Sequence, residues 1–303
     1  MQTDSPESKP AVILGCGYVG SAVARRWLRK GIRVWGVSRN EETLAGIRHE
    51  NFTPVVAEVD TRGWHEKVPA KCGWILNCVS SAGGGLDGYR KSYVGGNQSL
   101  VDWLETADAD RILYTSSTAV YPFTDGRDVF EEDAGGDLAG TGEVVLESEN
   151  VLRGGKRSKD RTTILRLSGI YGPGRHYLLD SLRKGDGVIP GRGDYFLNLI
   201  HRDDIAAAVD AVLAVGGSAG KTFNLSDGSP ALKQEVLFWL ADQLEMTRPV
   251  FDPNAVGRRM RINAAGDPPN RRVRPDRLME ATGWRPTYPD YRAGFRAILD
   301  DQL

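Results

Sequence analysis

Short apolar runs alternate along this chain with longer stretches whose apolar side chains recur every three or four residues. The runs at Ala11–Leu14, Arg33–Val37, Thr53–Ala57, Trp74–Val79, Arg111–Thr115 and Thr162–Leu167 predict strands. Segments near Val19–Lys30, Glu41–His49, Arg90–Thr106 and Glu143–Leu152 predict helices; in the first, Val19, Val23, Trp27 and Leu28 share one face. Strands alternating with helices imply βαβ units and a parallel sheet covered on both faces. Right-handed crossovers then give a doubly wound α/β fold, with ligands at the carboxyl ends of the strands. After Leu167 the texture changes. Gly172-Pro173-Gly174 and Gly185-Asp186-Gly187 break the pattern, and a helix at Asp203–Val215, a strand at Thr222–Leu225 and a helix at Ala231–Leu244 follow. Met246–Pro269 holds four prolines among polar residues and reads as irregular.

The first strand runs directly into Gly15-Cys16-Gly17-Tyr18-Val19-Gly20, and a helix follows. In G-x-G-x-x-G the first glycine permits a tight turn, the second lets backbone approach a pyrophosphate, and the third lets helix and strand pack closely. The helix start offers unpaired N–H groups and a partial positive charge to the phosphates. Gly15, Gly17, Tyr18, Val19 and Gly20 are therefore expected to hold a dinucleotide, against the alternative of a glycine-rich turn that binds nothing.

Composition narrows the function classes. At 303 residues the chain can bury a large core, and a net charge of −1 supplies no field toward nucleic acid or membrane. Cys16, Cys72 and Cys78 show no C-x-x-C spacing, so reduced thiols in a cytoplasmic protein are the simplest expectation. The first ten residues are polar, without a signal-peptide core, and read as a flexible tail. No apolar run approaches a membrane span.

Later motifs carry a resemblance. Thr115-Ser116-Ser117-Thr118-Ala119-Val120-Tyr121 is similar to an S-S-x-x-V-Y-G stretch, with Pro122 in place of the glycine. Ile164–Arg175, Asn198-Leu199-Ile200-His201-Arg202-Asp203-Asp204-Ile205-Ala206, Phe223-Asn224-Leu225-Ser226-Asp227 and Gly283-Trp284-Arg285-Pro286 follow in order. Together they resemble the extended short-chain dehydrogenase/reductases, the NAD-dependent epimerase/dehydratases, over roughly Val12 to Leu299. The resemblance implies a Rossmann-type sheet with a small C-terminal substrate lobe: a tail over 1–10, a dinucleotide-binding core over 11–167, and a mixed segment over 168–303 that completes the core and forms the lobe. It also implies a small-molecule substrate and a homodimer.

The chain departs from that family at its engine. The family's tyrosine and lysine stand four residues apart on one helix face, as Tyr-x-x-x-Lys, and this chain has none. Aligning Glu149 and Leu152 with the helix's usual ending puts Thr141 at the tyrosine place and Val145 at the lysine place. Ser117 remains as the group that hydrogen-bonds the substrate oxygen. Glu143 is a candidate proton-transfer group, against a carboxylate that complements the helix dipole; Glu147 is a weaker one. Tyr121 and Tyr171 are candidates to reach the pocket, against a packing role for each.

Cofactor choice is read at the end of the second strand, Ser38-Arg39-Asn40. Arg39 can grip a 2′-phosphate bidentately and Ser38 can add a hydrogen bond, which favours NADP(H). The alternative is NAD, with Glu41 or Glu42 on the ribose. By resemblance Asp60 lies on the adenine side, and Cys78 and Val79 line the cofactor after the fourth strand. Gly83-Gly84-Gly85 permits close backbone approach or a flexible lid. Arg258, Arg259 and Arg261, then Arg271, Arg272, Arg274 and Arg277, suit a phosphorylated substrate or a solvated face paired with Asp267, Asp276 and Glu280. Asp203 and Asp204 read as an N-terminal cap, with His201 structural. No metal site is expected. Two functions remain in view: an epimerase/dehydratase-like or reductase-like enzyme with a non-standard acid/base, and a cofactor-binding regulatory or scaffold protein that has lost chemistry.

Overall fold

Ala11–Leu14 is buried at all four positions, as a strand flanked on both edges and covered on both faces must be. The computed structural model describes residues 9–81, 83–185, 187–255 and 267–301. In chain order come β1 Ala11–Leu14, α1 Tyr18–Arg29, β2 Val34–Ser38, α2 Glu41–Ala45, β3 Phe52–Val56, β4 Lys71–Asn77, α3 Gly85–Arg90 and α4 Gly96–Trp103. Then follow β5 Asp108–Ser117, β6 Asp128–Val129, α5 Thr141–Gly154, β7 Thr162–Leu167, β8 Gly169–Tyr171, α6 Tyr177–Lys184, β9 Val188–Pro190 and β10 Phe196–Leu197. The rest are β11 Leu199–His201, α7 Arg202–Ala214, β12 Thr222–Leu225, β13 Ala231–Leu232, α8 Lys233–Gln243, β14 Val250–Asp252, β15 Arg272–Val273, α9 Asp276–Thr282 and α10 Tyr291–Asp300.

Seven strands form the central sheet in the order β12-β7-β5-β4-β1-β2-β3. The ladders joining β1 to β2, β1 to β4, β2 to β3 and β4 to β5 are parallel. The order reverses beside β1, which is where a doubly wound sheet opens its ligand crevice. This is the Rossmann-type α/β fold that the alternation predicts.

The described residues divide into two compact units. The first takes the chain up to Val120, Gly135–Arg166 and Ile205–Phe223. Its core gathers Val12, Leu14, Ile75, Ile112, Tyr114 and Leu152 with the indoles of Trp64 and Trp103. The second takes Tyr121–Ala134, Leu167–Asp204 and the chain from Asn224 onward. Its core packs Leu178, Leu182, Val236, Leu240, Tyr291 and Phe295 from α6, α8 and α10. The expected core over 11–167 thus differs, because Tyr121–Ala134 and Leu167 belong to the second unit.

Other expectations are corrected locally. Of the tail expected over 1–10, residues 1–8 lie outside the described residues, while Lys9 and Pro10 are tied down: the Lys9 ammonium reaches Asp110 at 2.9 Å and the Pro10 carbonyl accepts from Gly73 N at 2.9 Å. The single helix expected over Arg90–Thr106 is α3, a wide π-helical turn at Lys91–Gly95, and α4. The Gly95-Gly96 pair permits that widening. α2 stops at Ala45 with Gly46 as its cap, short of His49. The stretch read as irregular contains β14, which pairs in parallel with β9.

Candidate functional site

The glycine turn joins β1 to α1, and each glycine meets a different surrounding. Gly15 has φ +84°, and a Cβ there would lie 2.7 Å from Val79 N. Gly20 is as tight: a Cβ would lie 2.6 Å from Gly15 O and 2.9 Å from the Cys78 sulfur. Gly17 is open, with Gly15 O at 3.9 Å as the neighbour of its would-be Cβ. Backbone bonds fix the turn, with Gly15 N and Cys16 N donating to Val37 O and Gly17 N to Gly15 O. Gly17 caps α1 with no side-chain hydrogen bond, so the first-turn N–H groups are left for a ligand. These residues fit a dinucleotide pyrophosphate: the open position is the one the phosphates need.

The thiols here are structural. Burial pushes Cys16 up to about 12, and burial raises Cys78 well above the ordinary thiol range. The Cys78 Sγ–H donates to Gly15 O at 3.2 Å. Its side chain therefore holds the turn, which leaves backbone as what Cys78 and Val79 can present to a cofactor.

At the end of β2, Ser38 Oγ accepts from Asn40 N at 3.1 Å, and Asn40 Oδ1 caps α2 by accepting from Thr43 N at 2.9 Å. Arg39 is exposed between them. Glu41 and Glu42 occupy the first turn of α2, where carboxylates suit the helix dipole. Asp60 follows β3, with a side chain 17 % exposed.

β5 ends in two serines that strand alternation turns to opposite faces. Ser116 faces the core and donates to Glu149 Oε1 at 2.5 Å. Ser117 is half-buried and its Oγ accepts from Ala119 N at 3.2 Å, which leaves the O–H to donate. The start of α5 lies directly against this corner, since a Cβ on Gly142 would sit 2.5 Å from Ala119 O. The structure therefore brings Ser117 together with the first turn of α5, where Thr141 is half-buried and Glu143 exposed. Val145 has no exposure at all, and Glu147 pairs with Arg90.

Two tyrosines take the packing alternative. Tyr121 is 1 % exposed and its hydroxyl donates to Asn224 Oδ1 at 2.6 Å. Asn224 N in turn donates to the buried carboxylate of Glu131 at 2.7 Å. Tyr121 is thus a packing element of the second unit. Tyr171 is also buried, edge-on to His201 and tilted against Phe295, with its ring end against Gly294 of α10.

The second unit explains the later motifs. His201 is buried; its Nδ1 accepts from Asp203 N at 3.2 Å, so a neutral ring carries its proton on Nε2, and burial lowers its pKa. Asp204 is no cap: its carboxylate accepts from Thr287 N at 2.7 Å and Tyr288 N at 3.0 Å. Asn198 clamps β15, donating to Arg271 O at 2.8 Å and accepting from Val273 N at 2.7 Å. Arg272 pairs with Asp128, Arg274 with Asp276, and Arg277 with Glu131 and Glu132. Asp276 is thus a partner as expected, whereas Asp128, Glu131 and Glu132 are partners the sequence did not suggest. Arg258, Arg259 and Arg261 lie outside the described residues.

Sequence reasoning missed two buried polar clusters of the first unit. Glu149 accepts from Arg166 Nε at 2.9 Å and Nη2 at 2.8 Å. Asn77 Nδ2 donates to Asn97 Oδ1 at 2.6 Å, Asn97 Nδ2 to Ser148 O at 2.8 Å, and Ser148 Oγ shares a 2.7 Å bond with Tyr114. Polar residues inside apolar runs were the available signal. Among the described residues no group of His, Cys, Asp and Glu is placed to hold a metal ion, and no helix is long and apolar enough to cross a membrane.

Comparison with known proteins matches this geometry. Protein YeeZ of Escherichia coli (strain K12) is 26% identical over 211 residues, 68% of this chain and 73% of that protein. A 3-diazoavenalumate denitrifying reductase of Streptomyces sp is 29% identical over 219 residues, 66% of this chain and 68% of that protein. The structure of a functionally unknown conserved protein from Silicibacter pomeroyi DSS superposes with a TM-score of 0.76 at 25% identity, covering 97% of this chain and 99% of that one. The profile of the NAD dependent epimerase/dehydratase family matches residues 11–226. With its open glycine turn at the sheet's reversal point and its serine corner beside α5, the chain belongs to the NAD-dependent epimerase/dehydratase family.

Proposed function

We propose that the protein is an NADP(H)-dependent, reductase-like member of its family that acts on a small carbonyl or sugar-type substrate without the Tyr-x-x-x-Lys pair. The observation that carries the reading is the glycine turn, open at Gly17 and closed at Gly15 and Gly20. A nicotinamide cofactor held by this turn would supply the hydride for a reduction. Tyr18, Val19 and Gly20 offer first-turn N–H groups to the phosphates, with the Val79 backbone opposite. Ser38 and Arg39 take the 2′-phosphate, and Asp60 serves the adenine side. Ser117 donates its O–H to the substrate oxygen, and Glu143, in the same corner, delivers the proton that completes a reduction. The reductase among the relatives favours reduction over epimerisation.

A second reading is a cofactor-binding protein without turnover. The sealed position of Val145 and the engaged hydroxyl of Tyr121 favour it. Single-turnover oxidation of bound NADPH separates the two, with a panel of aldehydes, ketones and nucleotide sugars tested on wild type, Ser117→Ala and Glu143→Gln. Slow oxidation that both variants reduce, by about 10²-fold or more, supports the enzyme. Tight binding with no oxidation by any substrate establishes the second reading. Turnover unchanged in both variants overturns the roles given to Ser117 and Glu143.

A further inference from the structure

β2 ends at Ser38 and β3 at Val56, and their pairing continues one step beyond, with Ala57 N donating to Ser38 O at 3.1 Å. That register brings Glu58 beside Arg39. A third element arrives at the same edge. Lys91 begins the wide turn between α3 and α4, and its Nζ lies 2.8 Å from Glu58 Oε2 and 3.9 Å from Asp60 Oδ2. The turn packs closely here, since a Cβ on Gly95 would sit 3.1 Å from Asp60 Cβ. Two cations, Arg39 and Lys91, thus share one rim with two carboxylates. Their fields overlap: Glu58 is held below the usual carboxylate range by its bond to Lys91, with Arg39 adding to the effect. Lys91 is held up by Glu58 and Asp60, and Arg39 opposes this.

Resting on the NADP(H) reading above, we propose that Lys91 is a second cation for the cofactor's 2′-phosphate, and that Glu58 occupies it until the phosphate arrives. Without Glu58, Lys91 would face the like charge of Arg39 with Asp60 as its remaining carboxylate. The Lys91–Glu58 pair is exposed, and exposed pairs are weak and exchange readily. A phosphate monoester carries about −1.5 to −2 charges at neutral pH, more than one carboxylate, and accepts from several donors at once. Arg39 takes it as a fork and Lys91 as a point charge. Asp60 keeps the ammonium at this edge when Glu58 releases it. NAD(H) has a bare 2′-hydroxyl, gives Lys91 no reason to leave Glu58, and gains nothing from it. Lys91 therefore sets cofactor preference without a part in dinucleotide binding as such.

The test is fluorescence titration of NADPH and NADH on the full chain as wild type, Arg39→Ala, Lys91→Met, Lys91→Arg and Glu58→Gln. Lys91→Met should weaken NADPH about tenfold and leave NADH within about twofold; Lys91→Arg should recover most of the loss. Glu58→Gln should tighten NADPH about threefold, because the competing carboxylate is gone. If wild type prefers NADPH and Arg39→Ala abolishes the preference while Lys91→Met leaves it intact, the role of Lys91 is overturned and the cofactor reading stands. If Lys91→Met weakens both cofactors equally, the lysine supports the turn rather than the phosphate, and the inference fails. If wild type binds NADH as tightly as NADPH, the cofactor reading fails, and this inference with it.

Discussion

Arg166 meets Glu149 as a fork, Nε on one carboxylate oxygen at 2.9 Å and Nη2 on the other at 2.8 Å, with side chains 3 % and 0 % exposed. Ser116 and Arg153 bond the same carboxylate, at 2.5 and 2.9 Å. The cluster ties α5 to β5 and β7. Breaking a buried pair leaves an uncompensated charge, so Glu149→Gln or Arg166→Met should cost about 3–5 kcal/mol. Urea unfolding checks this; replacing both residues together should cost less than the sum of the single changes.

The three glycines of the turn should separate binding from folding. Gly17→Val should remove dinucleotide binding and leave the unfolding midpoint nearly unchanged, because its Cβ points into open space. Gly20→Val should unfold the protein at lower urea, since its Cβ would meet Gly15 O and the Cys78 sulfur. A Gly17→Val variant that binds NADPH normally would place the cofactor elsewhere.

Restoring the family's pair should not be free. From sequence, Thr141→Tyr with Val145→Lys is expected to leave cofactor binding intact. The structure adds a folding cost to that expectation, because Val145 is fully buried. Forcing a lysine stem into this packing should cost about 1–3 kcal/mol. Thr141→Tyr alone, at a half-buried position, should be tolerated. Thermal unfolding of the two single variants is the check.

Asp227 gives the second unit a pH dependence. Burial, then the charges of Asp290 and Asp204, push its carboxyl from an ordinary 3.8 to about 8. Its Oδ1 accepts from Ser229 N at 2.9 Å, and Oδ2 is buried without a partner. Between these values the folded chain holds a proton that the unfolded chain has lost, so this group's contribution is full below about pH 4 and falls as pH rises to about 8. Asp227→Asn keeps the acceptor and removes the titration. The variant should match wild type near pH 4 and exceed it by a margin on the order of 5 kcal/mol near pH 8. Urea midpoints across that range decide it; parallel curves would mean that Asp227 is ionised in the folded protein.

How legible the fold and site were depended on what each residue answers to. β1, β7 and β12 follow the sequence expectation to the residue; in β1 continuous burial writes a continuous apolar run, and in β7 and β12 β-branched and apolar residues flank one buried polar side chain, Arg166 or Asn224. The glycine turn was legible for the same reason: its constraints are local. The two- and three-residue strands of the second unit were not, since so short a strand shows no period. Asp204 looked like a helix cap because it opens α7, but its partners, Thr287 and Tyr288, come from far along the chain. Tyr121 looked available because nothing in sequence places Asn224 beside its hydroxyl. Lys91 lies near Tyr89 and Tyr93 in the sequence at the wrong spacing for the family's pair, and its meaning depends on Glu58 and Arg39 lying across a strand edge.

The interleaving of the two units bears on how the protein can be made. The chain leaves the first unit at Tyr121, returns at Gly135, leaves again after Arg166 and returns for Ile205–Phe223. No single cut separates the units, and a fragment ending at Arg166 would carry a sheet whose edge at β7 lacks β12. During synthesis that edge stays open until Leu225 has left the ribosome, with the buried strand β7 waiting as an unpaired template for misassociation. Truncated expression products should therefore aggregate, and the last quarter of the chain is made only after the sheet has all its strands.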